Sequence, residues 1–121
     1  MVRGSRLTFD GSYSGEGRGH FAYVLDGFTE AGILQCYSNV DAEYEALMRG
    51  LRKSIQLGIQ ELTIVGDSKT VLHQITGQMK ARKTRDKLEA CRVLLNAIPS
   101  YTLEWIPRRE NIAHHYIKRD G

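Results

Sequence analysis

Three acidic residues stand where solubility alone would not put them. Asp10 and Asp67 each close an apolar run and touch a glycine, in Phe9-Asp10-Gly11 and Val65-Gly66-Asp67. Taken singly, Asp10 reads as a turn aspartate and Asp67 as a helix N-cap. Glu43 shares a helical stripe with Leu47 at i+4, Gly50 at i+7 and Leu51 at i+8, which turns its carboxylate towards the apolar side. Glu45 instead has Arg49 at i+4 and Lys53 at i+8, so it belongs to a charged face and is expected to pair with Arg49. An ionised group facing a core needs a partner, and a helix N-terminus supplies only part of one. Three such carboxylates brought together would repel one another. A divalent cation such as Mg²⁺, which takes carboxylate oxygens, water and substrate phosphate, resolves that repulsion.

Whether they meet depends on the elements that carry them. Residues 6–9 read as a strand ending at Asp10-Gly11, followed by a turn-rich loop holding Gly11, Gly15, Gly17 and Gly19. Residues 21–25 and 33–37 read as a hairpin around Asp26-Gly27. A helix is expected from Ser38, with Asp41 three residues on in the manner of a capping box, to about Leu57-Gly58. A strand over 61–65, a short helix ending at Gly77, a longer helix over roughly 84–97, a strand over 101–106 and a terminal helix over 110–118 complete the order β-β-β-α-β-α-α-β-α. That order implies an α/β fold with a mixed sheet flanked by helices. The carboxyl ends of parallel strands gather at one edge of such a sheet, which is where Asp10 and Asp67 would lie. Trp105, on the last strand, reads as a core residue.

Composition adds boundaries. A chain of 121 residues, 41% hydrophobic and 26% charged, without repeats or a Pro/Gly/Ser linker, is read as a single domain over 1–121. No apolar run reaches the ~18–20 residues of a membrane span, and the start Met-Val-Arg-Gly-Ser-Arg lacks a signal-peptide core. Cys36 and Cys91 form no C-x-x-C pair, which suits buried free thiols in a cytoplasmic protein. Residues 1–45 carry a net −4 and residues 46–121 a net +7, within an overall +3. A basic surface beside an acidic centre suits a polyanion held over carboxylate-bound metal. Lys80, Arg82 and Lys83 head a segment that would either line a phosphate backbone or form a solvated helix start.

These residues resemble the type 1 ribonucleases H of the ribonuclease H-like superfamily. The matching strings are Phe9-Asp10-Gly11-Ser12 with its glycine-rich sequel, Ser38-Asn39 before Ala42-Glu43-Tyr44-Glu45-Ala46-Leu47, Gly58-Ile59, Val65-Gly66-Asp67-Ser68, Thr76-Gly77-Gln78-Met79-Lys80, and Trp105-Ile106-Pro107-Arg108 followed by Asn111. They span nearly the whole chain in order. The resemblance implies a five-stranded sheet ordered 3-2-1-4-5 and hydrolysis of the RNA strand of RNA/DNA hybrids. It further implies two Mg²⁺ or Mn²⁺ ions held by Asp10, Glu43 and Asp67. RNA 2′-hydroxyls would meet the backbone of residues 11–16, including Gly11, Ser12, Tyr13 and Gly15, and a DNA phosphate would lie near Ser38 and Asn39. No extra tryptophan-containing basic helix is present, so the chain resembles the compact form of the family, and a monomer is expected.

One position departs from the pattern. The family's fourth metal-site carboxylate falls four residues after the asparagine matching Asn111, and His115 stands there, which would favour Mn²⁺ or Zn²⁺ over Mg²⁺. On an α-helix, His114 lies about 100° away from it. Three readings stay open at this level. The first is an active hybrid nuclease using Asp10, Glu43, Asp67 and His115. The second is a domain that binds hybrid without efficient turnover, His114 and His115 being surface residues. The third is an integrase-like enzyme using Asp10, Asp67 and a late glutamate such as Glu110, against which Glu43 argues.

Overall fold

A computed structural model describes residues 4–117. Five strands, β1 (Ser5–Gly15), β2 (Arg18–Leu25), β3 (Phe28–Gln35), β4 (Glu61–Gly66) and β5 (Ser100–Trp105), form one sheet in the order β3-β2-β1-β4-β5. The first three run antiparallel as consecutive hairpins, while β1, β4 and β5 pair in parallel. The mixed sheet and its order are those expected. Three helices, α1 (Asn39–Gln56), α2 (Lys69–Thr76) and α3 (Arg85–Asn96), make the crossovers.

The alternation of β1 divides the molecule. Leu7 and Phe9 enter the large core with Tyr23, Leu47, Leu51 and Ile64, where α1 lies on the sheet. Thr8 and Asp10 belong to the opposite set, and that face carries a smaller cluster of Ala22, Val24, Ala113 and Ile117. Ser38 caps α1 by accepting from the Asp41 N–H at 3.0 Å, and Asp41 accepts from the N–H of Tyr37 at 3.0 Å, one residue earlier than a capping box would have it. Ser68 caps α2, which ends on Gly77 in the left-handed conformation at φ 86°. A buried chain of hydrogen bonds from Tyr44 Oη and Thr84 Oγ1, both donating to Gln74 Oε1 at 2.7 and 3.1 Å, locks the three helices together.

Four expectations need correction. The glycine-rich stretch is strand, not loop: β1 continues to Gly15 in register with β2, from Gly11↔Phe21 to Tyr13↔Gly19, and turns at Glu16-Gly17. Strand β3 begins earlier, at Phe28, and leaves Tyr37 exposed beyond its end. The terminal α-helix is instead two 3₁₀ turns, η1 (Arg108–Glu110) and η2 (Ile112–Tyr116); residue 118, its expected end, lies outside the described residues. Trp105 is 45% exposed because β5 is an edge strand with little covering it.

Candidate active site

Asp10, within β1, and Asp67, just past the end of β4, occupy equivalent places along two parallel strands. Pairing of β1 with β4 ends at Thr8↔Val65, and each aspartate lies two residues further on. Beyond that point β4 has ended, so the sheet opens beside Asp10. Glu43 comes from α1, and Gly11 makes its approach possible. A Cβ at Gly11 would lie 2.4 Å from the Ala42 carbonyl carbon and 2.5 Å from the Glu43 nitrogen, which no side chain tolerates. The helix therefore sits directly on the strand. One carboxylate oxygen from each of Asp10, Glu43 and Asp67 lies within 4.8 Å of the others.

Electrostatics mark the cluster as incomplete without a cation. Burial, opposed by a hydrogen bond from Ser68 and reinforced by the charges of Asp10 and Asp67, pushes the Glu43 carboxyl up to about 8. Burial also raises Asp10, against the lowering effect of His114 and with the Asp67 charge adding to the rise. The Arg108 guanidinium reaches only 3.8 Å from Asp67 Oδ2 and is 69% exposed, so it screens little. An all-oxygen donor set with this much repulsion fits a hard divalent ion of the Mg²⁺ or Mn²⁺ kind.

The histidine that meets the acidic cluster is the neighbour of the one the family pattern pointed to. His114 Nδ1 lies 2.8 Å from Asp10 Oδ2, whereas His115 is exposed. The cause is the helix type. Residues i and i+3 eclipse in a 3₁₀ helix, so η2 brings His114, three after Asn111, to the side that an α-helix would give to His115. With Asp10 ionised, Nδ1–H is the donor, and in the neutral ring Nε2 then carries the lone pair.

Asn111, quoted in the sequence only as part of a string, braces the site. Fully buried, it donates from Nδ2 to the Phe9 carbonyl at 3.1 Å and to Asp67 Oδ2 at 3.4 Å, and its Oδ1 accepts from the Ala113 N–H at 2.9 Å. One side chain thus ties β1, the end of β4 and η2 together. Trp105 contributes from the other side, its indole N–H donating to the Asp67 carbonyl at 3.1 Å. Asn111 could have been suspected from its Asn-x-Ala cap pattern. Nothing in the spacing of Trp105 announces its bond.

Asp10 and Glu43 open into a cleft of about 440 Å³ between the β1–β2 hairpin and the start of α1, lined also by Ser12, Tyr13, Asn39 and the buried His20. Asn39 Oδ1 accepts from the Tyr13 N–H at 2.7 Å and fixes one wall to the other. Of the residues expected to touch nucleic acid, Gly11, Ser12, Tyr13 and Asn39 line this cleft. Gly15 lies at the hairpin tip and Ser38 at the cap of α1. Lys80, Arg82 and Lys83 sit apart, exposed on the connection between α2 and α3. Glu45 does not pair with Arg49. It accepts from Lys87 Nζ at 2.6 Å, and the same ammonium lies 3.5 Å from Asp41, which anchors the start of α3 to the start of α1.

This architecture is that of the ribonuclease H-like fold. The structure superposes on ribonuclease H1 from the halophilic archaeon Halobacterium salinarum NRC-1 with a TM-score of 0.87 and 26% identity, covering 95% of each chain. The N-terminal RNase H domain of Rv2228c from Mycobacterium tuberculosis shares the fold at a TM-score of 0.86 and 23% identity, over 96% of this chain and 91% of that one. LC11-RNase H1, solved in complex with an RNA/DNA hybrid, shares it at 0.84 and 21%, over 93% of each. Residues 10–118 match the reverse transcriptase-like family model, and the chain belongs to that family. Among curated relatives, bifunctional protein Rv2228c of Mycobacterium tuberculosis and protein Mb2253c of Mycobacterium bovis are each 34% identical over 77 residues. That stretch is 61% of this chain, which spans about a fifth (21%) of either relative's length.

Proposed function

We propose that this domain is a divalent-metal-dependent nuclease that hydrolyses the RNA strand of RNA/DNA hybrids. The observation that carries the reading is the convergence of Asp10, Glu43 and Asp67 within 4.8 Å, with Asp10 and Glu43 lining an open cleft. The kinship with ribonucleases H1, one of them solved with a hybrid, supports the substrate class.

Asp10, Glu43 and Asp67 would hold two Mg²⁺ or Mn²⁺ ions, with His114 as the fourth side chain of the site. Ions held there supply the charge that activates water and stabilises the leaving 3′ oxygen of an in-line displacement. The rest of the work falls to the chain. Asn111 and Trp105 hold Asp67 from two sides, so its carboxylate needs little reorganisation. The Asp10 carboxylate orients the His114 ring through Nδ1. Backbone groups of residues 11–15, tied to α1 by Asn39, offer donors and acceptors to 2′-hydroxyls in a shallow minor groove, where bulky side chains would keep the strand away. Ser38 and Asn39, at the start of α1, would meet a phosphate of the DNA strand.

The second reading, hybrid binding without efficient turnover, draws on one observation: Asp10 Oδ2 is already engaged by His114. A single assay separates the two. Labelled RNA/DNA hybrid, double-stranded RNA and double-stranded DNA are incubated with the protein and Mg²⁺ or Mn²⁺, alongside Asp10→Asn, Glu43→Gln and Asp67→Asn. The nuclease reading expects cleavage of the hybrid RNA strand alone and its loss in each variant. Hybrid binding without cleavage in either metal gives the domain to the second reading, and full activity in Asp10→Asn ends the first.

A further inference from the structure

The last turns of α1 carry three cations that the site above does not use. Arg49, Arg52 and Lys53 fall at i, i+3 and i+4 on one face of the helix and, with Phe28, line a shallow hollow of about 500 Å³ against β2 and β3. Among the described residues none of the three has a carboxylate within 4.0 Å. The two acids in reach by sequence or space are otherwise engaged. Glu45, one turn before Arg49, is bound to Lys87, and Glu30, on the hollow's own rim, accepts from the buried Tyr23 hydroxyl at 2.6 Å. Arg49 is further committed to this place. Its Cζ lies 4.3 Å from the centre of the Phe21 ring, and its Nε is buried without a hydrogen-bond partner, which leaves the outer guanidinium nitrogens as the donors it can offer to the hollow. Lys53 Nζ stands 4.6 Å over the Phe28 ring.

A helix C-terminus favours cations through the helix dipole. That explains basic residues near residue 53 but not why three converge, unpaired, on one hollow with two aromatic rings beneath them. We propose that this hollow is a binding site for a phosphoryl group, separate from the carboxylate cleft. Charge-assisted donors from two guanidiniums and an ammonium are the set that recognises phosphate oxygens. The hollow lies towards the far end of α1 from Glu43, with Arg49 six and Lys53 ten residues further along the helix, so a ligand here need not touch the acidic cluster. The proposal does not rest on the nuclease reading.

The test uses the ¹⁵N-labelled protein with EDTA present, so that the carboxylate cleft holds no metal. Inorganic pyrophosphate, a single-stranded DNA 12-mer and a poly-glutamate peptide are titrated in separate arms, followed by backbone and guanidinium shifts. Pyrophosphate should move Arg49, Arg52, Lys53 and Phe28, and Arg52→Gln/Lys53→Gln should weaken that binding at least tenfold while the remaining spectrum stays native. Shifts at the same residues with the 12-mer identify the phosphate source as a nucleic-acid strand, and shifts with pyrophosphate alone identify a small phosphorylated ligand; either supports the site. Shifts spread evenly over all basic residues overturn the proposal. Poly-glutamate bound as tightly as pyrophosphate does too, since the hollow is then a general anion or protein-docking surface. Retaining Arg49 in the double variant keeps the test independent of its packing on Phe21.

Discussion

A carboxyl group that holds its proton up to about pH 8, as at Glu43, makes the metal-free fold sensitive to pH in a defined direction. The folded chain binds this proton more tightly than the unfolded chain, whose glutamate sits near its ordinary 4.5. Stability from this group is therefore complete below about 4.5 and is lost as pH rises through about 8. Glu43→Gln removes the charge and keeps the shape. In EDTA at pH 8.5 the variant should melt higher than the parent by roughly 4–10 °C, an effect of about 1–3 kcal/mol, and the gap should close by pH 5. Equal melting temperatures at both pH values would mean that a cation of the chain already compensates Glu43. The same proton gives a second readout. Mg²⁺ binding at pH 7 should release acid into a weakly buffered solution, and Glu43→Gln should abolish most of that release.

The elements explain both what could be read in advance and what could not. Asp10, Glu43 and Asp67 were legible because each sits at a position set by strong local rules: the end of the parallel pairing, the core stripe of a capped helix, and the turn after β4. The mixed sheet followed from three consecutive hairpin strands and helical crossovers, and its order from the family resemblance. The contact of His114 with Asp10 was not legible, because a spacing of four residues presumes an α-helix whereas Ile112–Tyr116 winds as 3₁₀. That choice is tertiary, made by Asn111 reaching back to Phe9 and by Ala113 packing on Ala22 and Val24. His114→Asp should accordingly strengthen Mg²⁺ binding, seen as a larger rise in melting temperature per Mg²⁺ added, while His115→Asp should leave it near the parent's. The reverse ranking would return the fourth position to His115. Gly11 was read as part of a loop, but its purpose is contact between elements. Gly11→Ala should force α1 off β1, costing on the order of 2 kcal/mol or more in urea unfolding and weakening Mg²⁺ binding together. Loss of stability with metal affinity intact would separate Gly11 from the site.

At the scale of the whole molecule, the division of charge into a net −4 over residues 1–45 and +7 over the remainder becomes a spatial arrangement. The acidic half supplies Asp10 and Glu43 at the cleft, and the basic half supplies the connection after α2 on which Lys80, Arg82 and Lys83 are exposed. Lys87, bound to Asp41 and Glu45, holds the start of α3 against the start of α1, and the basic connection leads directly into that helix. A hybrid seated over the carboxylates and following α1's N-terminal end would bring a phosphate backbone towards it. Each phosphate contact removed lowers the slope of log affinity against log salt by roughly one unit. Lys80→Ala/Arg82→Ala/Lys83→Ala should therefore weaken hybrid binding, measured by anisotropy in Ca²⁺ to prevent turnover, and reduce that slope by about 1–3. The melting temperature should hardly change, because none of the three side chains makes an ion pair with a described residue. A slope that does not move would make the segment a solvated helix approach and confine recognition to the hairpin wall and the start of α1.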